Sequence, residues 1–123
     1  MRKFTIILVD DEESICQLTK GLLEGDGYNV LTTNRVDDAI NLIKNQVIPH
    51  VLVTDDHMPG KSGLELVKWI RLNPQYKNLP VIVTSGYLSQ EARANYKSLG
   101  AKILDKPVPL KTLQITIRQC LPD

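Results

Sequence analysis

Cysteine is scarce in this sequence. Two thiols, Cys16 and Cys120, stand 104 positions apart in a chain of 123 residues. That spacing is no metal-ligand pattern and two thiols are no disulfide framework, so a reducing cytoplasm is the expected compartment. Long apolar runs are also lacking. The longest, such as Ile6-Ile7-Leu8-Val9, fall far below the ~20 residues of a membrane helix, which argues against a membrane protein. Only six uncharged residues separate Met1-Arg2-Lys3 from Asp10, too few for a signal peptide. Neither sign of charge dominates: the formal net charge is +1. That balance hides a split, with ten acidic and five basic residues up to position 56 and four acidic and ten basic beyond it. A uniformly basic nucleic-acid binder does not read this way, so no direct nucleic-acid binding is expected. No internal repeat, linker or low-complexity segment interrupts the chain. What is present is ordinary globular composition, 42% hydrophobic and 24% charged with seven Gly and seven Pro, which excludes collagen, disorder and coiled coil. The length suits one domain, residues 1–123, with a good core.

Short β-branched runs alternate with longer amphipathic stretches. Residues 4–9 (FTIILV) are nearly all apolar, as a strand covered on both faces should be. Residues 11–24 follow with Ile15, Leu18 and Leu22 at helical spacing, and Asp11, Glu12 and Glu13 suit the N-terminal dipole. Residues 28–32, 50–54, 81–85 and 101–104 read as four further strands. Residues 37–44 read as a helix with Ala39, Ile40 and Ile43 inward. Ser62-Gly63-Leu64-Glu65 is a capping box opening a third helix through about Asn73, with Leu66, Val67 and Ile70 inward. Ser89 caps a fourth helix over residues 90–99, and Leu110, Leu113, Ile117 and Leu121 space a fifth. The pattern predicts an α/β fold, a doubly wound five-stranded parallel sheet flanked by five helices.

In such a sheet, ligands bind beyond the carboxyl ends of the strands. Strand one ends in Asp10-Asp11, strand three in Asp55-Asp56, strand four in Ser85-Gly86 and strand five in Asp105-Lys106-Pro107. Parallel strands would bring these groups to one edge. Crowded carboxylates raise one another's pKa, and a hard divalent cation relieves the crowding. Mg²⁺ takes oxygen ligands and keeps several waters, so one or two carboxylates and a carbonyl suffice. A carboxylate facing the metal can attack phosphorus and become an aspartyl phosphate. Phosphoryl transfer needs charge neutralisation above all, which a metal and a lysine supply. Taken singly, each group has a plainer reading: a helix cap, turn chemistry, a structural serine. Their joint placement at four strand ends points to a site.

With these residues in place, the sequence resembles the receiver domain of two-component response regulators over its whole length. Leu8-Val9-Asp10-Asp11-Glu12 resembles the family's acidic pair after strand one. The segment from Val51 to Gly60 (VLVTDDHMPG) resembles its phosphoacceptor segment, where the acceptor precedes Met-Pro by three and four positions; that spacing selects Asp55 over Asp56. Ser85-Gly86 resembles the hydroxyl and small residue after strand four, and Asp105-Lys106-Pro107 the Lys-Pro after strand five. The resemblance implies the flavodoxin-like strand order 2-1-3-4-5 and the following roles. Asp55 would accept a phosphoryl group from a phosphohistidine on a sensor histidine kinase or histidine phosphotransfer protein. Asp11 and Asp55 would bind Mg²⁺ (or Mn²⁺) with the His57 backbone carbonyl, and Asp10 would act largely through metal-bound water. Ser85 would bond the phosphoryl group and Lys106 would pair with it. The Lys106-Pro107 bond is expected to match the cis bond common in the family. Phosphorylation would switch binding of a downstream output domain or protein on the face of the fourth helix, fifth strand and fifth helix, and phosphorylation-dependent homodimers are common there. Such a domain is a signalling module with at most self-phosphorylation and autodephosphorylation, not an enzyme.

One departure stands out. The family often carries Tyr or Phe three positions before the lysine, where this chain has Ile103; Tyr87, just after Ser85-Gly86, reads either as an aromatic that moves instead or as a surface loop tyrosine with no role. A phosphorylation-independent scaffold of the same fold and a Mg²⁺-dependent phosphohydrolase are the competing readings. The first is opposed by the full set of site residues, the second by the lack of residues for a substrate cap. Trp69 reads as partly exposed packing, His50 as a strand residue, and Cys16 and Cys120 as ordinary cysteines on neighbouring helices.

Overall fold

The apolar runs become five parallel strands in the computed structural model, which describes residues 3–45 and 47–122. They are β1 (Thr5–Val9), β2 (Asn29–Thr33), β3 (Val51–Asp55), β4 (Val81–Ser85) and β5 (Lys102–Asp105), in the order β2-β1-β3-β4-β5. Five helices connect or follow them: α1 (Glu13–Gly25), α2 (Val36–Lys44), α3 (Gly63–Leu72), α4 (Gln90–Ser98) and α5 (Leu110–Cys120). Pro74–Tyr76 adds one 3-10 turn. The expected architecture and strand order are both present.

Alternation along the strands builds two apolar layers, one on each face. Ile7, Val9, Leu52, Val81 and Val83 point into the layer shared with α2, α3 and α4. Ile6, Leu8, Val51, Val53 and Ile82 point into the layer shared with α1 and α5. This two-sided burial explains why β1 reads as a continuous apolar run. Each fully buried Leu or Ile contributes roughly 1.5–3 kcal/mol relative to exposure, so the sheet is rigid support for whatever its edge carries.

The sequence patterns and the structure differ in α1. Ile15, Leu18 and Leu22 keep helical spacing but are 48%, 66% and 41% exposed. The row that packs on the sheet is Cys16 and Leu23. Two apolar rows share this helix, and only one can face a sheet. Helix α1 also begins two residues later than the sequence suggests, because the Asp10 carboxylate accepts a hydrogen bond from the Glu12 amide at 2.9 Å and holds Asp11 in a bend. Strands β2, β3 and β5 each run one residue further along, which makes Asp55 itself the last residue of β3.

The remaining helices follow their patterns. Ser62 and Glu65 form the reciprocal capping box of α3. Leu66, Val67 and Ile70 are buried beneath it. Ser89 accepts from the Ala92 amide at 3.1 Å and caps α4. Arg71 at the end of α3 donates to the carbonyls of Leu99 (2.6 Å) and Leu79 (2.7 Å), tying α3 to the end of α4 and the entry of β4. Trp69 is half-buried against the core. His50 gains a specific role: its Nδ1 accepts from the Thr5 amide at 3.0 Å, and its ring stands edge-on to Phe4.

Candidate functional site

Since all five strands are parallel, their carboxyl ends lie along one edge. The chain reverses direction in strand order between β1 and β3, and the crevice there is where such folds place ligands. Asp10 and Asp11 follow β1, Asp55 ends β3, Ser85 ends β4 and Lys106 follows β5. The structure brings four of these together. Carboxylate oxygens of Asp10, Asp11 and Asp55 lie within 4.8 Å of one another. Lys106 Nζ donates to Asp55 Oδ2 at 3.1 Å. Asp55 is only 5% exposed, whereas Asp11 is exposed and Asp10 half-buried.

The backbone around Asp55 is pinned. Thr54 Oγ1 donates to the Asp55 carbonyl at 2.9 Å within the core. The Asp56 amide donates to the Thr84 carbonyl at 3.0 Å, and the Gly63 amide to the Asp56 carbonyl at 3.0 Å. The Asp56 carboxylate accepts from the Tyr96 hydroxyl. It is turned away from the cluster and toward α4, so the two adjacent aspartates have different partners. On the far side, the Lys106 amide donates to the Ser85 carbonyl at 2.7 Å, and the Lys106-Pro107 peptide is cis, as expected.

Electrostatics follow from this packing. Burial pushes the Asp10 carboxyl above the usual carboxylate range; the Glu12 amide works the other way, and the neighbouring Asp55 and Asp11 add to the rise. For Lys106, burial alone would lower the pKa, but the Asp55 carboxylate, with Asp10 and Glu12, outweighs it and the net shift is upward. The Tyr96 phenol is pushed upward by burial and then by Asp56, so it stays a donor. Cys16 lies behind the site, and burial, aided by Asp10 and Glu13, raises its thiol to about 11. Both Cys16 and Cys120 are free.

One residue stands differently from the strand-end argument. Ser85 is buried, but its hydroxyl donates to the Tyr87 carbonyl at 2.8 Å and accepts from the Tyr87 amide at 3.2 Å. It faces its own loop rather than Asp55. His57 is exposed beside the buried Met58. Ile103 is half-buried against the core, and Tyr87 is 82% exposed. Sequence reasoning missed Thr54, Thr84 and Tyr96. Thr84 helps line a cavity of about 510 Å³ that opens beside Asp55 and Lys106 and runs under Ile15 and Leu113. The signal for Tyr96 is a single large aromatic in an otherwise polar helix.

The donor set is all oxygen, three carboxylates converging at one point, and it fits a hard divalent cation far better than a soft one. A half-buried carboxyl held above its ordinary pKa by burial and like charge is what a cation would relieve.

The family model of the response regulator receiver domain matches residues 6–118. The chain therefore belongs to the receiver-domain family of two-component response regulators. It is 25% identical to the polar-differentiation response regulator DivK of Brucella anthropi, over 97% of each chain. It is 35% identical to the transcriptional regulatory protein ZraR of Escherichia coli over 94% of this chain, but spans only 26% of that longer protein. The chemotaxis response regulator CheY4 of Vibrio cholerae superposes with a TM-score of 0.87 at 30% identity, covering 98% of this chain and all of that one. A receiver is a signalling domain typically phosphorylated on aspartate, and receivers interact with histidine kinases or phosphotransfer proteins and with output domains. No described helix is long and apolar enough to cross a membrane.

Proposed function

We propose that Asp55 is the phosphoacceptor of a single receiver domain spanning residues 1–123, that a divalent cation assists it, and that Ser85 and Lys106 read its state. The observation that carries this is the setting of Asp55. It is the buried carboxylate of the three, its backbone is held by the sheet, and one oxygen already faces Lys106. A held carboxylate and a held ammonium need little reorganisation when charge develops on a phosphoryl group.

Asp10, Asp11, Asp55 and the His57 carbonyl would hold Mg²⁺ or Mn²⁺, which would neutralise charge on the phosphoryl oxygens. An Asp55 oxygen attacks the phosphorus of a phosphohistidine; the P–N bond breaks and the imidazole leaves. Lys106 exchanges its carboxylate partner for a phosphoryl oxygen, a charge-assisted bond of at least equal strength. The Ser85 hydroxyl gives up its two bonds to Tyr87 and turns to the same group. That exchange moves the β4–α4 loop, so the new charge alters a surface that a partner can read. The phosphodonor is a sensor histidine kinase or a histidine phosphotransfer protein in the cytoplasm. The exposed apolar row Ile15, Leu18 and Leu22 supports docking of an apolar helix face beside the acceptor.

Incubation with Mg²⁺ and a small acyl phosphate tests the acceptor assignment by intact-protein mass. One phosphoryl group should add to the wild type and none to Asp55→Asn. An unreactive wild type, or an Asp55→Asn variant that still gains the group, would overturn it.

A further inference from the structure

The largest side chain wholly removed from solvent is Tyr96. It is the one buried residue of α4, a helix otherwise made of polar and small residues. Its ring fills the layer between α3, α4 and the sheet, which packing alone would explain. Its hydroxyl does something packing does not require. It reaches the far side of that layer and donates to the Asp56 carboxylate, one residue beyond Asp55.

The geometry around this bond is tight. A carbon added at Gly63 would lie 3.0 Å from the Tyr96 hydroxyl, 2.6 Å from the Asp55 carbonyl oxygen and 3.1 Å from the Asp56 Cα. The hydroxyl and the peptide that joins the two aspartates therefore crowd the same point at Gly63. Asp56 is fixed at three points, by its amide to Thr84, by its carbonyl to Gly63 and by its side chain to Tyr96. Asp55 and His57 flank it, so a shift of the Asp56 backbone would move the acceptor carboxylate on one side and the His57 carbonyl on the other, and the Tyr96 bond adds a side-chain tether to the two backbone bonds that oppose such a shift.

We propose that Tyr96 is a positioning residue for phosphoryl transfer: its hydroxyl tethers the Asp56 side chain and, through the Asp55–Asp56 peptide, fixes the Asp55 carboxylate for attack. This rests on the reading of Asp55 as acceptor. It assigns to α4 a part in the transfer itself, distinct from its part as a partner surface. Misplacing an attacking group by a fraction of an ångström slows a positioned reaction severely, so the hydroxyl should act on the maximal rate rather than on donor affinity.

The test is the rate of phosphorylation by a small acyl phosphate at saturating Mg²⁺, as a function of donor concentration. The proteins compared are wild type, Tyr96→Phe, Asp56→Ala, Asp56→Asn and the double variant Tyr96→Phe/Asp56→Ala, each checked for folding by thermal melting. Tyr96→Phe, which keeps the ring, should lower the maximal rate about tenfold and leave half-saturation unchanged. Asp56→Asn, which keeps an acceptor oxygen for the phenol, should react faster than Asp56→Ala. In the Asp56→Ala background, Tyr96→Phe should have no further effect. An unaltered maximal rate in Tyr96→Phe, or an equal further loss in the double variant, overturns the proposal. If Tyr96→Phe does not fold, equal rates in Asp56→Asn and Asp56→Ala overturn it. Asp55→Asn in the same series separates the two claims. Continued phosphorylation of that variant defeats the acceptor assignment, whereas loss there with full activity in Tyr96→Phe defeats only the role of Tyr96.

Discussion

At position 63 a single added carbon would fall 2.6 Å from the Asp55 carbonyl oxygen. Its neighbours are backbone and a buried phenol, neither of which can swing away, so Gly63→Ala must displace β3 or α3. Overpacking of this kind costs about 1–3 kcal/mol, and an unfolding free energy lowered by that amount in urea melts is expected, together with slower phosphorylation. A second residue-scale prediction concerns Asp10, whose carboxyl burial raises above its ordinary range. The folded state then binds a proton that the unfolded state releases, over the window from the unfolded value near 3.8 up to the raised folded value. The Asp10 contribution to the stability of the metal-free protein should fall as pH rises through that window. In urea melts across the acid range, the wild type should lose stability relative to Asp10→Asn as pH rises through that window. The charges of Asp10, Asp11, Asp55 and Lys106 were legible in the sequence because each lies at the end of a strand that could be placed within a residue. The orientation of Ser85 was not, since its hydroxyl answers to the Tyr87 backbone two residues on, a local choice that no spacing records.

The helices show where periodicity succeeds and where it stops. In α3 the apolar residues Leu66, Val67 and Ile70 form one stripe, and the stripe is buried. In α1 two apolar rows compete, and the sheet takes Cys16 and Leu23 while Ile15, Leu18 and Leu22 face outward. Nothing in a helical repeat says which of two rows meets the sheet. The exposed row lies along the helix that starts at the acidic cluster, and Ile15 borders the cavity beside Asp55 and Lys106. Leu18→Glu should therefore leave stability within about 0.5 kcal/mol, as a surface change does. It should slow phosphorylation by a phosphohistidine protein about tenfold or more, the loss expected when an apolar anchor is removed from an interface. Phosphorylation by a small acyl phosphate should be unaffected. Equal slowing with both donors would show that the row shapes the site and not a docking surface. Helix α4 is the opposite case: with one buried residue it has the weakest apolar pattern, yet Tyr96 ties it to Asp56, just past the end of β3.

For the molecule as a whole, topology does what no local motif can. Asp10, Asp55 and Lys106 are separated by more than 40 residues at each step, and parallel strand order places them within one crevice. The alternation of strands and helices was enough to foresee this edge, and the sheet order confirms it. The early excess of acid and late excess of base are partly joined here, through the Lys106–Asp55 pair. Elsewhere Asp37 meets Lys61 at 2.7 Å and Asp105 meets Arg93 at 2.8 Å on the surface, where screening leaves such pairs little weight. The central claim is that the crevice directs a phosphoryl group to Asp55 and not to its neighbour Asp56. Borohydride reduces an aspartyl phosphate to homoserine, so peptide mass mapping of the phosphorylated and reduced chain reads the site directly. Homoserine at position 55 alone is the predicted result; homoserine at position 56, or at neither, would contradict it.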